Sequence, residues 1–297
     1  MLDQFCYKVY MPSSGKYEYY KELTNKELLV ILKYCTNQDR EGLASYLEHV
    51  LKIKSVNEHD LHRIDKFCVL YTMMLVCIKG NVTLMCTCNE TEQTYNIDIS
   101  IVDVLNKISN LEYHGDDVLI KSGANEYTLQ YPRELYNDKQ QLHVTDVLQS
   151  VKIDETTYDL TDYTKQQKTK VIENLPGGDV SKILKHITTY ATAHDDVVYI
   201  TYQSPYATEP EPINYTVSLL NNQLFESYLV MVNTTLKAFY EMSHSMATNF
   251  ELSHQHYLSM TPAETMIYYD LMKTDIEAQK AAQASEQNTI DKTIQPV

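Results

Sequence analysis

The chain has 297 residues, enough for two modest domains or one domain with extensions, and its 43% hydrophobic and 22% charged content is ordinary for a globular protein. A formal net charge of −15 without any Lys/Arg run argues against nucleic acid and anionic membrane surfaces as partners. Trp is absent and 25 Tyr outnumber 5 Phe, a composition suited to half-wet faces and interfaces, where a ring is buried while its hydroxyl stays hydrogen-bonded.

The opening MLDQFCYKVYMPSSG has no basic region followed by a sustained apolar run, so no secretory leader is expected and the chain is predicted to stay in the cytoplasm. Phe5 to Met11 and Lys16 to Lys21 are Tyr-rich runs around Pro12-Ser13-Ser14-Gly15, which predicts a β-hairpin. Thr24 with Glu27 forms a capping box ahead of Leu28, Leu29, Ile31, Leu32 and Cys35, an amphipathic helix. A second helix is predicted from Asp39, with Leu43, Tyr46, Leu47, Val50 and Leu51 on one face.

The stretch Asp60 to Gly80 is the one around which the rest is expected to organise. Leu61, Ile64, Phe67, Cys68, Tyr71, Met74, Leu75 and Ile78 recur at helical spacing. From Cys68 the opposite face is apolar too (Val69, Leu70, Met73, Val76, Cys77), so this helix must be covered on all sides. Its apolar run is shorter than the roughly 18 to 20 residues a bilayer helix needs, which makes it a core helix. Asn57 and Asp60 cap its start and Gly80 supplies its stop.

Beyond Gly80 the period changes to two. Val82 to Cys88 and Tyr95 to Ile99 read as strands, Ile101 to Leu111 as a short helix, and Val118 to Lys121 with Tyr127 to Tyr131 as a hairpin around Ser122-Gly123-Ala124-Asn125. Val151 to Leu160 suggests a further strand. Thr161 to Asn174 and the segment after Leu175-Pro176-Gly177-Gly178 read as helices, the second burying Ile183, Leu184, Ile187 and Tyr190. Val197 to Tyr202 and Ile213 to Leu219 are predicted strands, separated by the proline-bearing loop Ser204 to Pro212. From Asn222 a long helix is expected, with a heptad-like stripe of Leu224, Phe225, Tyr228, Leu229, Val232, Leu236, Phe239 and Tyr240 that calls for a partner. Thr261-Pro262-Ala263-Glu264 starts a last helix bearing Met266, Tyr269, Leu271 and Met272, and the apolar face fades beyond Ala278.

The fold expected is therefore α+β. Residues 1–80 form a hairpin plus helical unit, 81–220 a mixed unit, 221–280 a helical region and 281–297 a flexible tail that orders on a partner. Nine residues are candidates for partner binding: Leu224, Tyr228, Leu229, Val232, Leu236, Phe239, Tyr240, Met266 and Tyr269.

Chemistry is harder to find. Cys6, Cys35, Cys68, Cys77, Cys86 and Cys88 lie mostly in apolar runs, as reduced buried thiols do, and Asn-x-Thr triplets at Asn81, Asn89, Asn214 and Asn233 carry no meaning without secretion. Cys86-Thr87-Cys88 has no second Cys pair downstream, so a zinc site lacks its ligands. His254-Gln255-His256 with His244 and Glu251 could hold a metal for a hydrolase, against the simpler reading of a solvated helix connection. Glu58, His59 and His62 do not make H-E-x-x-H, and Leu175 to Lys182 lacks the Walker spacing and serves as a turn. No G-x-S-x-G elbow or Cys-centred signature nominates a nucleophile. Neither catalysis, a cofactor nor a metal is expected.

The hairpin with its Pro-Ser-Ser-Gly turn, followed by KELTNKELLVILKYCTNQDREGLASYLEHVL, resembles the opening of the small baseplate hub and hub-assembly proteins of T-even-like contractile-tailed phages. Tyr257-Leu-Ser-Met-Thr-Pro-Ala-Glu264 with Ile267-Tyr268-Tyr269 is similar to the Met-Thr-Pro-x-Glu-Arg, Ile-Tyr helix start near the C-terminus of such proteins, except that Thr265 stands where the Arg would be. The Cys pair of that group is represented only by Cys86 and Cys88, without the wider spacing. The resemblance covers about the first 100 and last 50 residues. It implies a non-enzymatic hub subunit or assembly chaperone that contacts other hub or tape-measure proteins, in the virion tail or the host cytoplasm, and the helix stripe adds copies of the chain itself as an expected partner. A cytoplasmic protein-binding adaptor unrelated to phage is the competing expectation.

Overall fold

The computed structural model describes residues 6–57, 60–77, 81–88, 90–110, 115, 117–136, 142–194, 198–207, 212–217, 225, 228–229, 232 and 236–293. It begins with the antiparallel hairpin of β1 (Cys6–Met11) and β2 (Lys16–Lys21), in register from Cys6 opposite Lys21 to Met11 opposite Lys16. Gly15, at φ +66°, takes the left-handed backbone that closes the turn, and its N–H donates to the Met11 carbonyl at 2.9 Å. Alternation then sends Val9, Met11 and Tyr20 inward.

Helix α1 (Asn25–Thr36) starts on the expected capping box of Thr24 and Glu27, and α2 (Arg40–Lys54) on Asp39, which accepts from Gly42 N at 2.9 Å. The buried Lys54 ammonium at the end of α2 pairs with Glu27 at 2.7 Å, so the cap of one helix also holds the other. Helix α3 (Arg63–Cys77) is the centre: Ile64, Phe67, Cys68, Val69, Leu70, Tyr71, Met73 and Met74 are all buried, the all-round burial its sequence demands. It begins at Arg63, later than the caps suggested, and its expected stop at Gly80 lies outside the described residues. The hairpin turn is fastened to it by Asp65, whose buried carboxylate accepts the Ser13 N–H at 3.1 Å and the Ser13 hydroxyl.

Next come β3 (Asn81–Thr87) and β4 (Thr94–Ser100), antiparallel, and α4 (Ile101–Ser109), capped by Ser100 and burying Ile101, Val104 and Ile108. A four-stranded antiparallel sheet follows in the order β5 (Asp117–Ser122), β6 (Asn125–Gln130), β7 (Leu148–Ile153) and β8 (Thr156–Asp159). The single strand expected over Val151 to Leu160 is thus the end of one strand and all of another, because Asp154 adopts φ +54° and turns the chain. The short helix α5 (Val144–Val147) leads into β7, and α6 (Lys165–Glu173) and α7 (Gly177–His194) cover the sheet. Strands β9 (Val198–Gln203) and β10 (Pro212–Val217) pair antiparallel.

Of the helix expected from Asn222, Phe225, Tyr228 and Leu229 are helical and Val232 lies in a turn, while most of 218–235 lies outside the described residues. The described helix there is α8 (Leu236–Phe250), followed by α9 (His254–Ser259) and the 32-residue α10 (Pro262–Thr293). Helix α10 continues through Thr293, into the segment assigned to a tail, on a run of Ala, Gln, Glu and Lys with high helix propensity. No described helix is long and apolar enough to cross a membrane.

Two cores result. The first gathers the inner hairpin face, α1 to α4, Tyr95 and Ile97 of β4, Leu135, and Phe225, Tyr228, Val232, Phe239, Met246 and Tyr257 from the C-terminal part. The second lies between the four-stranded sheet and α7, with Tyr127, Leu129, Val147, Leu148, Val151, Ile183 and Ile187. Its edge holds a stacked pair, Tyr131 on Tyr190, with ring centroids 3.4 Å apart.

Candidate functional site

The C-terminal helices are seated by one polar side chain. Asn25, buried at the start of α1, donates from Nδ2 to the Tyr257 carbonyl at 2.9 Å and to Thr265 Oγ1 at 2.7 Å, while its backbone N–H donates to the Met260 carbonyl at 2.7 Å. Thr265 is buried, and its hydroxyl donates to Thr261 O and accepts from Asn25. Thr261 and Glu264 form the expected cap of α10, with Thr261 N–H donating to Glu264 Oε2 at 2.7 Å.

The nine candidate partner residues divide by depth. Tyr228, Val232 and Phe239 are buried in the first core, Tyr228 edge-on to Tyr71 of α3 and Phe239 edge-on to Tyr257. Leu229, Leu236 and Tyr269 pack against that core half-buried, Met266 is half-buried as well, and Tyr240 is exposed. Leu224 lies outside the described residues.

Around the histidines, Ser243 Oγ and His254 Nδ1 are 2.9 Å apart, and the His254 ring stacks between Tyr240 and Tyr257. His244 is exposed on α8, and His256 lies on α9, its backbone N–H donating to the cap residue Ser253. Among the described residues no group of three or more His, Cys, Asp or Glu side chains is placed to hold a metal ion. The Cys86 side chain lies outside the described residues. Cys88 is buried just past β3, and hydrogen bonds from Ser204 and then Thr91 pull its thiol down to about 7.

Sequence reasoning ended the second hairpin at Tyr131 and left residues 132–136, PRELY, without a role; the structure makes 131–136 one segment. They form a strap between the cores: Tyr131 belongs to the second and Leu135 to the first. The strap's backbone is held by side chains of α2 and α3. Glu48 accepts the Leu135 N–H at 3.1 Å, Lys66 donates to the Arg133 carbonyl at 2.9 Å, and Arg63 donates to the Leu135 carbonyl at 3.2 Å. Lys66 and Glu48 also pair at 2.7 Å, and Arg133 reaches out to Asp60 and to Asp117 of β5. An acidic cleft of about 620 Å³, lined by Glu41, Asp60, Glu134, Tyr136 and Asp146 among others, flanks the strap. The only sequence signal was a pair of apolar anchors around charged residues, a pattern shared with many loops.

A second polar knot joins α7 to the sheet. The Asp179 carboxylate accepts from Ser122 Oγ, from Tyr127 Oη at 2.5 Å and from Asn125 Nδ2 at 3.0 Å, and these bonds hold its pKa down to about 2. Both knots are structural: every polar group named in them meets another group of the same chain.

No curated protein and no solved structure matches the chain. The family model described as T4 bacteriophage base plate protein matches residues 4–198, which take in part of the middle that the sequence resemblance left unassigned and none of the C-terminal residues on which it also rested. That match sets aside an adaptor unrelated to phage, and the chain belongs to the T4 bacteriophage base plate protein family.

Proposed function

We propose that the protein is a non-enzymatic subunit or assembly factor of the baseplate hub, acting through contacts with other hub or tape-measure proteins, in the tail of the virion or in the host cytoplasm during assembly. The family match carries this reading. The C-terminal helices support it. They lie beyond the matched residues, and Asn25 of α1, within the matched part, ties them down and holds them in a fixed orientation. Tyr240, with the half-buried Leu236, Met266 and Tyr269, is the proposed contact surface, while Tyr228, Val232 and Phe239 are buried in the first core.

Mass spectrometry of purified virions tests the reading. Stoichiometric peptides of this chain make it a built-in subunit. Absence from particles, with recovery from infected-cell lysate on a tail protein, makes it an assembly factor. Absence from both, with particles still forming normally when its gene is deleted, overturns the proposal.

A further inference from the structure

Two exposed apolar patches on the described surface differ in the charges around them. The first is the outer face of the hairpin. Because Val9, Met11 and Tyr20 point inward, the cross-strand pairs Tyr10–Tyr17 and Lys8–Tyr19 share the outward face. Tyr17 and Tyr19 are 54% and 46% exposed, and the Lys8 ammonium stands 4.1 Å from the Tyr17 ring centroid. Val56, 50% exposed, is brought beside them by its N–H donating to the Tyr19 carbonyl at 3.0 Å. Ile53, 47% exposed, lies one turn earlier at the end of α2, next to exposed Lys52.

The second patch is on α10. Ile267 and Leu271, 61% and 53% exposed, stand one turn apart, away from the body-facing Thr265, Tyr269 and Met272. Asp270, Asp275 and Glu277 border them. From Lys273 to Ala281 every residue is exposed, so the helix leaves the body without tertiary cover, a state in which helices are marginal in water. At ~1.5 Å per residue α10 is about 48 Å long, enough to reach a neighbour.

We propose that α10 of one copy docks on the hairpin patch of a second copy. Ile267 and Leu271 cover Tyr17, Tyr19 and Val56, and the α10 carboxylates face Lys8 and Lys52. The charges select this occupant. Two α10 helices meeting through the same face would set Asp270, Asp275 and Glu277 against their own kind, and two hairpin faces would oppose their lysines, whereas the unlike pairing matches charge and apolar surface together. The contact is head to tail, so copies close into a ring or continue as a chain. With −15 on each copy, long-range repulsion opposes encounter, and association strengthens from low to physiological salt as screening shortens that repulsion. This inference goes beyond the baseplate role and stands or falls without it.

Sedimentation velocity of the full-length protein over a concentration series tests it. The expected result is a mass that rises above the 34.4 kDa monomer with concentration. Lys8→Glu with Lys52→Glu, and separately Asp270→Lys with Glu277→Lys, each weaken self-association by about tenfold or more, because like charges then meet at the contact. Mixing the two variants restores it, since each supplies the surface complementary to the other. All four positions are exposed, and circular dichroism checks that the variants fold; Lys52→Glu and Glu277→Lys alone serve as the milder pair. A monomer at every concentration, self-association unchanged by both reversals, or failure of the mixture to recover overturns the proposal.

Discussion

The two cores are built on opposite plans. The second is built from one stretch: the sheet, α6 and α7 all come from residues 117–194. The first is completed from a distance: α3 is covered by the hairpin before it and by Tyr228 far beyond it, and Phe239 and Tyr257 join the same core. Local contacts form with little loop-closure cost, whereas the first core cannot be finished until the C-terminal helices arrive. The family match ends at residue 198, so the helices that finish the first core come from outside the matched region. On the proposed reading, partner contact at Tyr240 is therefore coupled to the stability of the first core.

The strongest way to break the first core alone is Phe67→Ala. It removes a fully buried ring at the centre of α3 and should cost about 3–5 kcal/mol, seen as a lowered urea midpoint. Hydrogen exchange should then rise throughout α1 to α3 while amides of β6 and β7 keep more of their protection.

The strap tests whether the cores communicate. Glu48→Ala leaves the Lys66 ammonium and the Leu135 N–H without that acceptor, at a cost of about 1–3 kcal/mol. If the strap couples the cores, the single unfolding transition should broaden or split, which differential scanning calorimetry would show.

Asn25→Ala strikes the seat of the C-terminal helices and should cost about 1–3 kcal/mol. Amide exchange at residues 257–265 should accelerate and exchange in the sheet should not. Equal acceleration everywhere would mean that these helices do not open separately from the rest of the protein.

Acid distinguishes the cores by sign. Asp179, held down to about 2 by hydrogen bonds from Ser122, Tyr127 and Asn125, stabilises the second core above the ordinary carboxylate range. That contribution is lost as pH falls from about 4 toward 2. Asp65 goes the other way: burial raises its pKa, so its contribution is present at acid pH and is lost as pH rises through the raised value. Pulse-labelled hydrogen exchange between pH 5 and pH 2 should show the α7–sheet contact opening before the Asp65 contact between hairpin and α3, and Asp179→Asn should flatten the dependence in the second core.

The smallest stability effect belongs to Tyr240→Ala, within about 0.5 kcal/mol because the ring is exposed. Capture of tail proteins from infected-cell lysate should nevertheless fall if Tyr240 is part of the contact surface.

Composition, period and capping were enough to determine the local elements. The hairpin turn, the Thr24 and Thr261 caps, the all-round burial of α3 and the switch to period two past residue 80 are each decided by side chains within a few residues of one another. Depth and partnership were not, since the same amphipathic stripe serves either the protein's own core or another protein. Only the tertiary structure showed that Tyr228, Val232 and Phe239 are turned inward while Tyr240, Ile267 and Leu271 are left outside. The strap was hidden for the same reason. Glu48, Lys66 and Leu135 are far apart in sequence, and a hydrogen bond between a side chain and a distant backbone has no periodicity to betray it.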